Sequence, residues 1–208
     1  MARRPRNLLS SLCFLGTISL IALAATGCRI LPKPQPDPTR FFVLSDPLAN
    51  DTEPKSEGVT LGLLRPELPA YLAGNRTIAV STLGQEVSFR QFDRWAEPLD
   101  AGISRVLQSS LTRAPGVKRV LTPPFASLTK RDFDLRIRVI DFAGLAPTAG
   151  TESIDCAIAF ELLTPDGNLH ATGVYTAPQP DWNGDSDTLA RLLSQALLDT
   201  AAAIATKL

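Results

Sequence analysis

Three patterns in this sequence predict an α+β domain: two helical stripes, and a pair of alternating apolar runs closed by a hairpin signal. Leu99, Ile103, Val106, Leu107 and Leu111 recur at i, i+4, i+7, i+8 and i+12, the spacing that lines one side of a helix. Leu189, Leu192, Leu193, Ala196, Leu197, Ala201 and Ile204 form a second such stripe near the end of the chain. Phe133, Leu135, Ile137 and Val139 alternate with Asp134, Arg136 and Arg138, the period of a half-buried strand. The expectation is one layered domain, a mixed or antiparallel sheet of about six or seven strands packed by two main amphipathic helices.

The chain begins with a segment outside that domain. Arg3, Arg4 and Arg6 precede a mostly apolar run from Leu8 to Ala25, and then comes Ala25-Thr26-Gly27-Cys28. A basic stretch, an apolar stretch and small residues at a cleavage point mark a secretory signal peptide. Ala-Thr-Gly-Cys resembles the bacterial lipobox, in which the cysteine is acylated (with palmitate among its chains) and the leader is cut just before it. An ordinary signal peptide or an uncleaved anchor is the alternative reading. Each buried methylene contributes about 0.8 kcal/mol, so several chains on Cys28 hold a protein durably where one would not. Arg29, not aspartate, follows the cysteine. By resemblance to lipoprotein sorting, this predicts the periplasmic face of the outer membrane, with the inner membrane as the alternative.

Residues 1–27 therefore read as leader, 28–38 as a lipidated cysteine with a linker, and 39–208 as the folded domain. Pro32, Pro34, Pro36 and Pro38 stand at every second position of the linker. Such spacing favours polyproline II, a semi-rigid spacer of about 3.1 Å per residue. Residues 40–44 read as a first strand, 46–58 as a loop, 59–64 as a second strand and 76–82 as a third. Residues 85–91 read as a further strand after a turn at Gly84. A helix is predicted over 96–113, with Pro98 in its first turn, where a missing N–H costs least. Pro115-Gly116 ends it. The path from the third strand region through this helix to a short strand at 117–121 fits a βαβ crossover. Residues 154–162 alternate and return through 169–176 across Asp166-Gly167, a strong hairpin signal. The last helix is predicted over 186–207.

Composition narrows the function. The whole chain carries 21 basic and 21 acidic residues. Without the three leader arginines, 18 basic residues face 21 acids, which argues against nucleic acid as a partner. Removal of the leader and acylation of Cys28 leave Cys156 as the one remaining thiol, read as a small buried apolar residue beside Ile154, Ile158 and Phe160. His170 is the sole histidine, so no histidine pair can hold a metal. Neither a Gly-x-Ser-x-Gly elbow nor a Gly-x-x-x-x-Gly-Lys loop occurs. Asp181, Asp185 and Asp187 read as acids at a helix N-terminus rather than a calcium loop. No cofactor, metal or catalytic set is expected. A tethered hydrolase using His170 as its base is the enzymatic rival.

Two local signatures carry more. The first is Leu68-Pro69-Ala70-Tyr71-Leu72; the second is Arg94-Trp95-Ala96-Glu97-Pro98-Leu99. With Phe41-Phe42-Val43-Leu44 after a lipobox, their order resembles the ABC-type transport auxiliary lipoproteins, the PqiC-like family. Phe42 stands where that family commonly has a tyrosine, so a hydroxyl is missing there. The resemblance implies an auxiliary role beside an ATPase, a permease and a periplasmic MCE-domain protein that move phospholipid or another hydrophobic molecule between membranes. An assembly factor or activator of a cell-wall enzyme is the alternative. Tyr71 and Leu72, in a loop, are the expected exposed partner contacts, toward the MCE protein or neighbouring copies of the chain. Pro69, Arg94, Trp95, Glu97 and Pro98 are expected to be structural, with Arg94 held by a carboxylate or a strand carbonyl.

Overall fold

The computed structural model describes residues 35–49, 55–82, 86–126, 129–147 and 151–208. The leader, Cys28, most of the proline-rich linker and the turn at Gly84 lie outside the described residues. Thr39–Leu208 forms one compact unit. Its elements run β1 (Arg40–Phe42), β2 (Val59–Leu63), β3 (Thr77–Ser81), β4 (Val87–Trp95), α1 (Leu99–Arg113), β5 (Val117–Leu121), β6 (Phe133–Leu145), β7 (Ser153–Leu163), β8 (Leu169–Thr176) and α2 (Ser186–Ala205). The α+β class stands. The sheet has eight strands, one more than the upper expectation.

The spine of the sheet is β6. One of its edges pairs antiparallel with β7 along its whole length, and β7 pairs antiparallel with β8. The other edge holds two strands end to end. There β2 lies parallel beside Phe133, Asp134 and Leu135, and β3 lies parallel beside Gly144 and Leu145. Between them Glu67 bridges to Arg138. Beyond β2 lies β5, parallel; beyond β3 lie β4, antiparallel, and then β1, parallel to β4. These pairings make β3 and β5 parallel, as a crossover from the third strand requires, but β4 is interposed and enters α1 running against β5.

Alternation places Leu135, Ile137 and Val139 on one face of β6, and all three are buried. At Ile140 the register slips, with Val139 opposite Ile158 and Asp141 opposite Ala157. One extra residue in one strand is a bulge, and it reverses the alternation. Phe142 thereby returns to the buried face while Ile140 is left exposed. The hairpin turn behaves as its sequence implies. Gly167 takes φ +86°, a region open to glycine at little cost, and Thr164 N–H donates to Asn168 O at 2.8 Å.

Both helices cover the same face of the sheet. The five stripe residues of α1 are all buried, as is every residue of the α2 stripe except the partly exposed Leu192. The first helix starts at Leu99 rather than 96, because residues 94–95 still pair as the end of β4. Pro98 offers no side-chain cap, but its carbonyl accepts from Ala101 and Gly102 N–H. At the other end Lys55 Nζ donates to the Arg113 and Ala114 carbonyls at 3.0 and 2.8 Å, which satisfies two of the orphan acceptors. At the start of α2 the Asp185 carboxylate accepts from Asp187 and Thr188 N–H, a side-chain cap.

Candidate functional site

The segment between β2 and β3 leaves the edge of β6 and rejoins it. After Glu67 N–H donates to Ile137 O, the chain turns at Pro69, whose carbonyl accepts from Leu72 and Ala73 N–H at 2.9 and 3.0 Å. Proline fixes φ there and has no N–H to strand. Asn75 Oδ1 then accepts from Thr77 N–H and Thr77 Oγ, and this side-chain turn restarts β3. Within the excursion, neighbouring side chains have opposite fates. Leu72 is 2 % exposed and joins the core, whereas Tyr71 is 37 % exposed. The expectation that both are exposed is thus corrected for Leu72: the turn aims it inward, and an isobutyl group gains by leaving water.

The second signature lies against the first. Trp95 N–H donates to Arg76 O at 2.6 Å, and Arg76 Nη1 donates to Ala96 O at 3.1 Å. The exit of the loop is therefore laced to the end of β4. Trp95 is 4 % exposed, and its ring lies 6.5 Å from that of Phe142. Glu97 forms an ion pair with Arg105, which also donates to Leu44 O at 2.7 Å. Pro98 sits where β4 gives way to α1. Pro69 and Trp95 thus hold the loop, whereas Glu97 and Pro98 join the end of β4 to α1. Arg94 does not follow the expectation of a carboxylate or carbonyl partner. Among the described residues it makes no ion pair, and it is exposed on the sheet face away from the helices.

That uncovered face surrounds Tyr71 with charge. Asp141 and Asp155 lie on it, diagonal to each other across β6 and β7. Burial pushes the Tyr71 hydroxyl above its ordinary value, and these two carboxylates add to the shift. Burial likewise raises Asp155, with Asp141 adding to it. One strand-length away, Arg136 pairs with Glu161 at 2.9 Å beside Arg138 and Glu67 in a shallow groove. His170 is exposed and stacks on Phe133 at 4.4 Å between ring centres. Cys156 is buried, and burial chiefly, helped by Asp155 and Asp141, pushes its thiol up to about 12. Among the described residues no group of three or more histidine, cysteine, aspartate or glutamate side chains could hold a metal, and no helix is long and apolar enough to cross a membrane.

Two features escape a reading of the sequence. Asp93, 6 % exposed, accepts both Arg40 Nε and Nη2 at 2.9 Å and Ser186 Oγ at 2.6 Å, tying β1, β4 and α2 together. Burial works to raise this carboxyl, but the hydrogen bonds from Arg40 and Ser186 outweigh it and hold it below the ordinary carboxylate range. The period-two pattern of residues 40–42 and 91–95 is the available signal, since it places Arg40 and Asp93 on the helix-facing side. The second feature is Trp182, buried before α2, whose ring comes so close to Gly144 that a Cβ there would sit 2.5 Å from it.

Comparison with known proteins agrees with this architecture. A protein of Xanthomonas campestris superposes with a TM-score of 0.61 at 17 % identity, over 80 % of this chain and 90 % of its own. A second solved protein gives 0.62 at 21 % identity, over 81 % and 97 %. At such identities these likenesses concern the fold alone. No curated protein matches the sequence. The model of one family, however, matches residues 42–205, which hold both signatures and nearly all of the compact unit. This chain belongs to the ABC-type transport auxiliary lipoprotein component family.

Proposed function

We propose that this protein is a non-enzymatic lipoprotein held by acylated Cys28 at the periplasmic face of the outer membrane. There it docks the MCE-domain protein of a transporter whose ATPase and permease move phospholipid or another hydrophobic molecule between the membranes. Family membership supports the link to a transporter, and the leader ending at Cys28 supports the anchor. One observation carries the docking role: Leu72 is sunk in the core, and this fixes Tyr71, half-exposed, on a braced excursion from the sheet. A rigid aromatic with one face free loses little conformational entropy on binding and suits the centre of an interface. Pro69 and Trp95 serve the bracing.

The test is capture of the tagged full-length protein from membranes that hold its neighbouring transporter proteins. The MCE-domain protein should co-purify with the unaltered chain. Tyr71→Ala should weaken the association by about 2 kcal/mol or more, roughly thirtyfold. Capture of no MCE-domain protein, or undiminished capture by the Tyr71→Ala chain, would overturn the assignment. Co-purification of a cell-wall synthase instead would favour the activator reading.

A further inference from the structure

We infer that the uncovered face of β1 and β4 is a lipid-contact surface that rests on the membrane in which Cys28 is anchored. Register places the residues concerned on one side. Phe41 lies opposite Arg94 across β1 and β4, on the reverse side from the buried Trp95. Phe92 is two residues before Arg94 on the same strand. Val87 and Phe89 pair with Ser81 and Ala79, which share the face of Thr77, the partner of Arg94. Phe41, Val87, Phe89 and Phe92 are between 37 % and 58 % exposed. Both helices lie on the opposite face, so no described element covers this one. Contiguous exposed aromatics are uncommon on monomeric surfaces and mark contact sites.

The tether identifies the occupant. The compact unit begins at Thr39, and Arg40 is the first residue of β1. Ten residues separate Cys28 from Thr39. Even fully extended they reach only about 35 Å, at about 3.3–3.6 Å per residue. The edge of the sheet that carries the phenylalanines is therefore the edge kept nearest the bilayer. Charge agrees with this orientation. Arg94, without an ion pair among the described residues, stands among the phenylalanines, and Arg76 lies at the end of β4. The acids Asp141 and Asp155 lie farther along the face, on β6 and β7. Aromatic rings flanked by arginine suit the headgroup layer of an anionic membrane, and acids do not. The anchor thus holds the β1–β4 end of this face against the bilayer, and Tyr71 with the two acids lies farther along it.

This inference rests on the anchor at Cys28, and the experiment separates the two. Trp95 and Trp182 are each 4 % exposed and give a background that lipid cannot reach. Phe92→Trp in the full chain adds a reporter on the face, and Leu169→Trp, on β8 at the far side of the sheet, is the control. Both proteins are reconstituted in phosphatidylethanolamine–phosphatidylglycerol vesicles with and without brominated acyl chains. The Phe92→Trp protein should show blue-shifted emission that brominated lipid quenches, and the control should show neither. An acylated Phe92→Trp protein, confirmed by mass, whose added emission is untouched by bromine would overturn the lipid contact alone. Shielding from aqueous iodide without quenching by bromine would do the same and point to a second copy on this face. A chain without acyl groups would overturn the anchor and the inference together.

Discussion

Leu72→Ala and Tyr71→Ala, one residue apart, should behave as a core mutation and a surface mutation. Leu72 is 2 % exposed within the core cluster. Truncation removes three carbons, worth about 0.8 kcal/mol each in transfer, and the cavity left behind adds to that. The expected loss is about 3–4 kcal/mol. For a domain of this size, about 2–4 °C of thermal midpoint accompanies each kcal/mol, so the melt should shift down by roughly 6–16 °C. Tyr71 is more than a third exposed, and among the described residues its hydroxyl makes no hydrogen bond. Its removal should cost about 1 kcal/mol and shift the melt by roughly 2–4 °C. Capture of the MCE-domain partner should follow the reverse order when compared well below both midpoints. The assay is a thermal melt by circular dichroism alongside the pull-down. A Tyr71→Ala protein that melts as early as Leu72→Ala would place Tyr71 in the core and leave the interface without a residue.

Trp95→Ala should cost about 3–5 kcal/mol, the range for a buried aromatic, and should weaken partner binding only in proportion to unfolding; urea denaturation followed by binding at low urea checks both parts. Asp93→Asn should cost about 1.5–3 kcal/mol near neutral pH, since it weakens charge-assisted bonds from Arg40 and Ser186. The folded carboxyl sits below its unfolded value of about 3.9, so its contribution is complete above that pH and fades as pH falls through the folded value. The gap between wild type and Asp93→Asn in denaturation midpoints should therefore narrow below about pH 4, and a gap that widens there would refute the assignment. Cys156, with its thiol pushed up to about 12 by burial, should resist maleimide in the native protein at pH 7.5 and react once urea unfolds the chain. Cys28→Ser should leave an uncleaved precursor or a soluble mature domain after a high-salt wash, and full retention of the cleaved mature domain in washed membranes without partners would refute the single-anchor reading.

What the sequence could disclose was set by period. A helix that buries one side must repeat near 3.6, and the stripes of α1 and α2 therefore predict buried residues almost one for one. The same holds for Ile154, Cys156, Ile158 and Phe160 on β7 and for the turn at Gly167. Period fails where the backbone breaks it. The bulge at Ile140 reverses the phase inside β6, and another register shift in the β3–β4 pairing leaves Val87, Phe89 and Phe92 exposed, so β4 has no clean alternation to announce it. Its last residues, Arg94 and Trp95, fall between the strand read at 85–91 and the helix read from 96, because Pro98 and the stripe begin so close behind them.

Period also says which side a residue faces and nothing about what meets it there. Arg40 and Asp93 are 53 positions apart, and Asp93 and Ser186 are 93 apart. Only the pairing of β1 with β4 and the docking of α2 bring the three together. The same gap explains Leu72. A leucine beside a tyrosine in a proline-bounded loop has no neighbours of its own to bury it. Its core position exists because β2 and β3 share one edge of β6, and the chain between them must turn back over the gap. The division of labour in 68–72 is thus a property of the sheet. One strand edge interrupted in its middle requires an excursion, the excursion must be pinned by an apolar side chain, and the residue beside the pin is then held at the surface. On this account a polar residue at position 72 should abolish binding at Tyr71 even though Tyr71 itself is unchanged. Leu72→Asn, compared with Leu72→Met, tests that dependence. Methionine conserves volume and should keep both the melt and the capture of partner within about 1.5 kcal/mol of wild type, whereas asparagine should lose both.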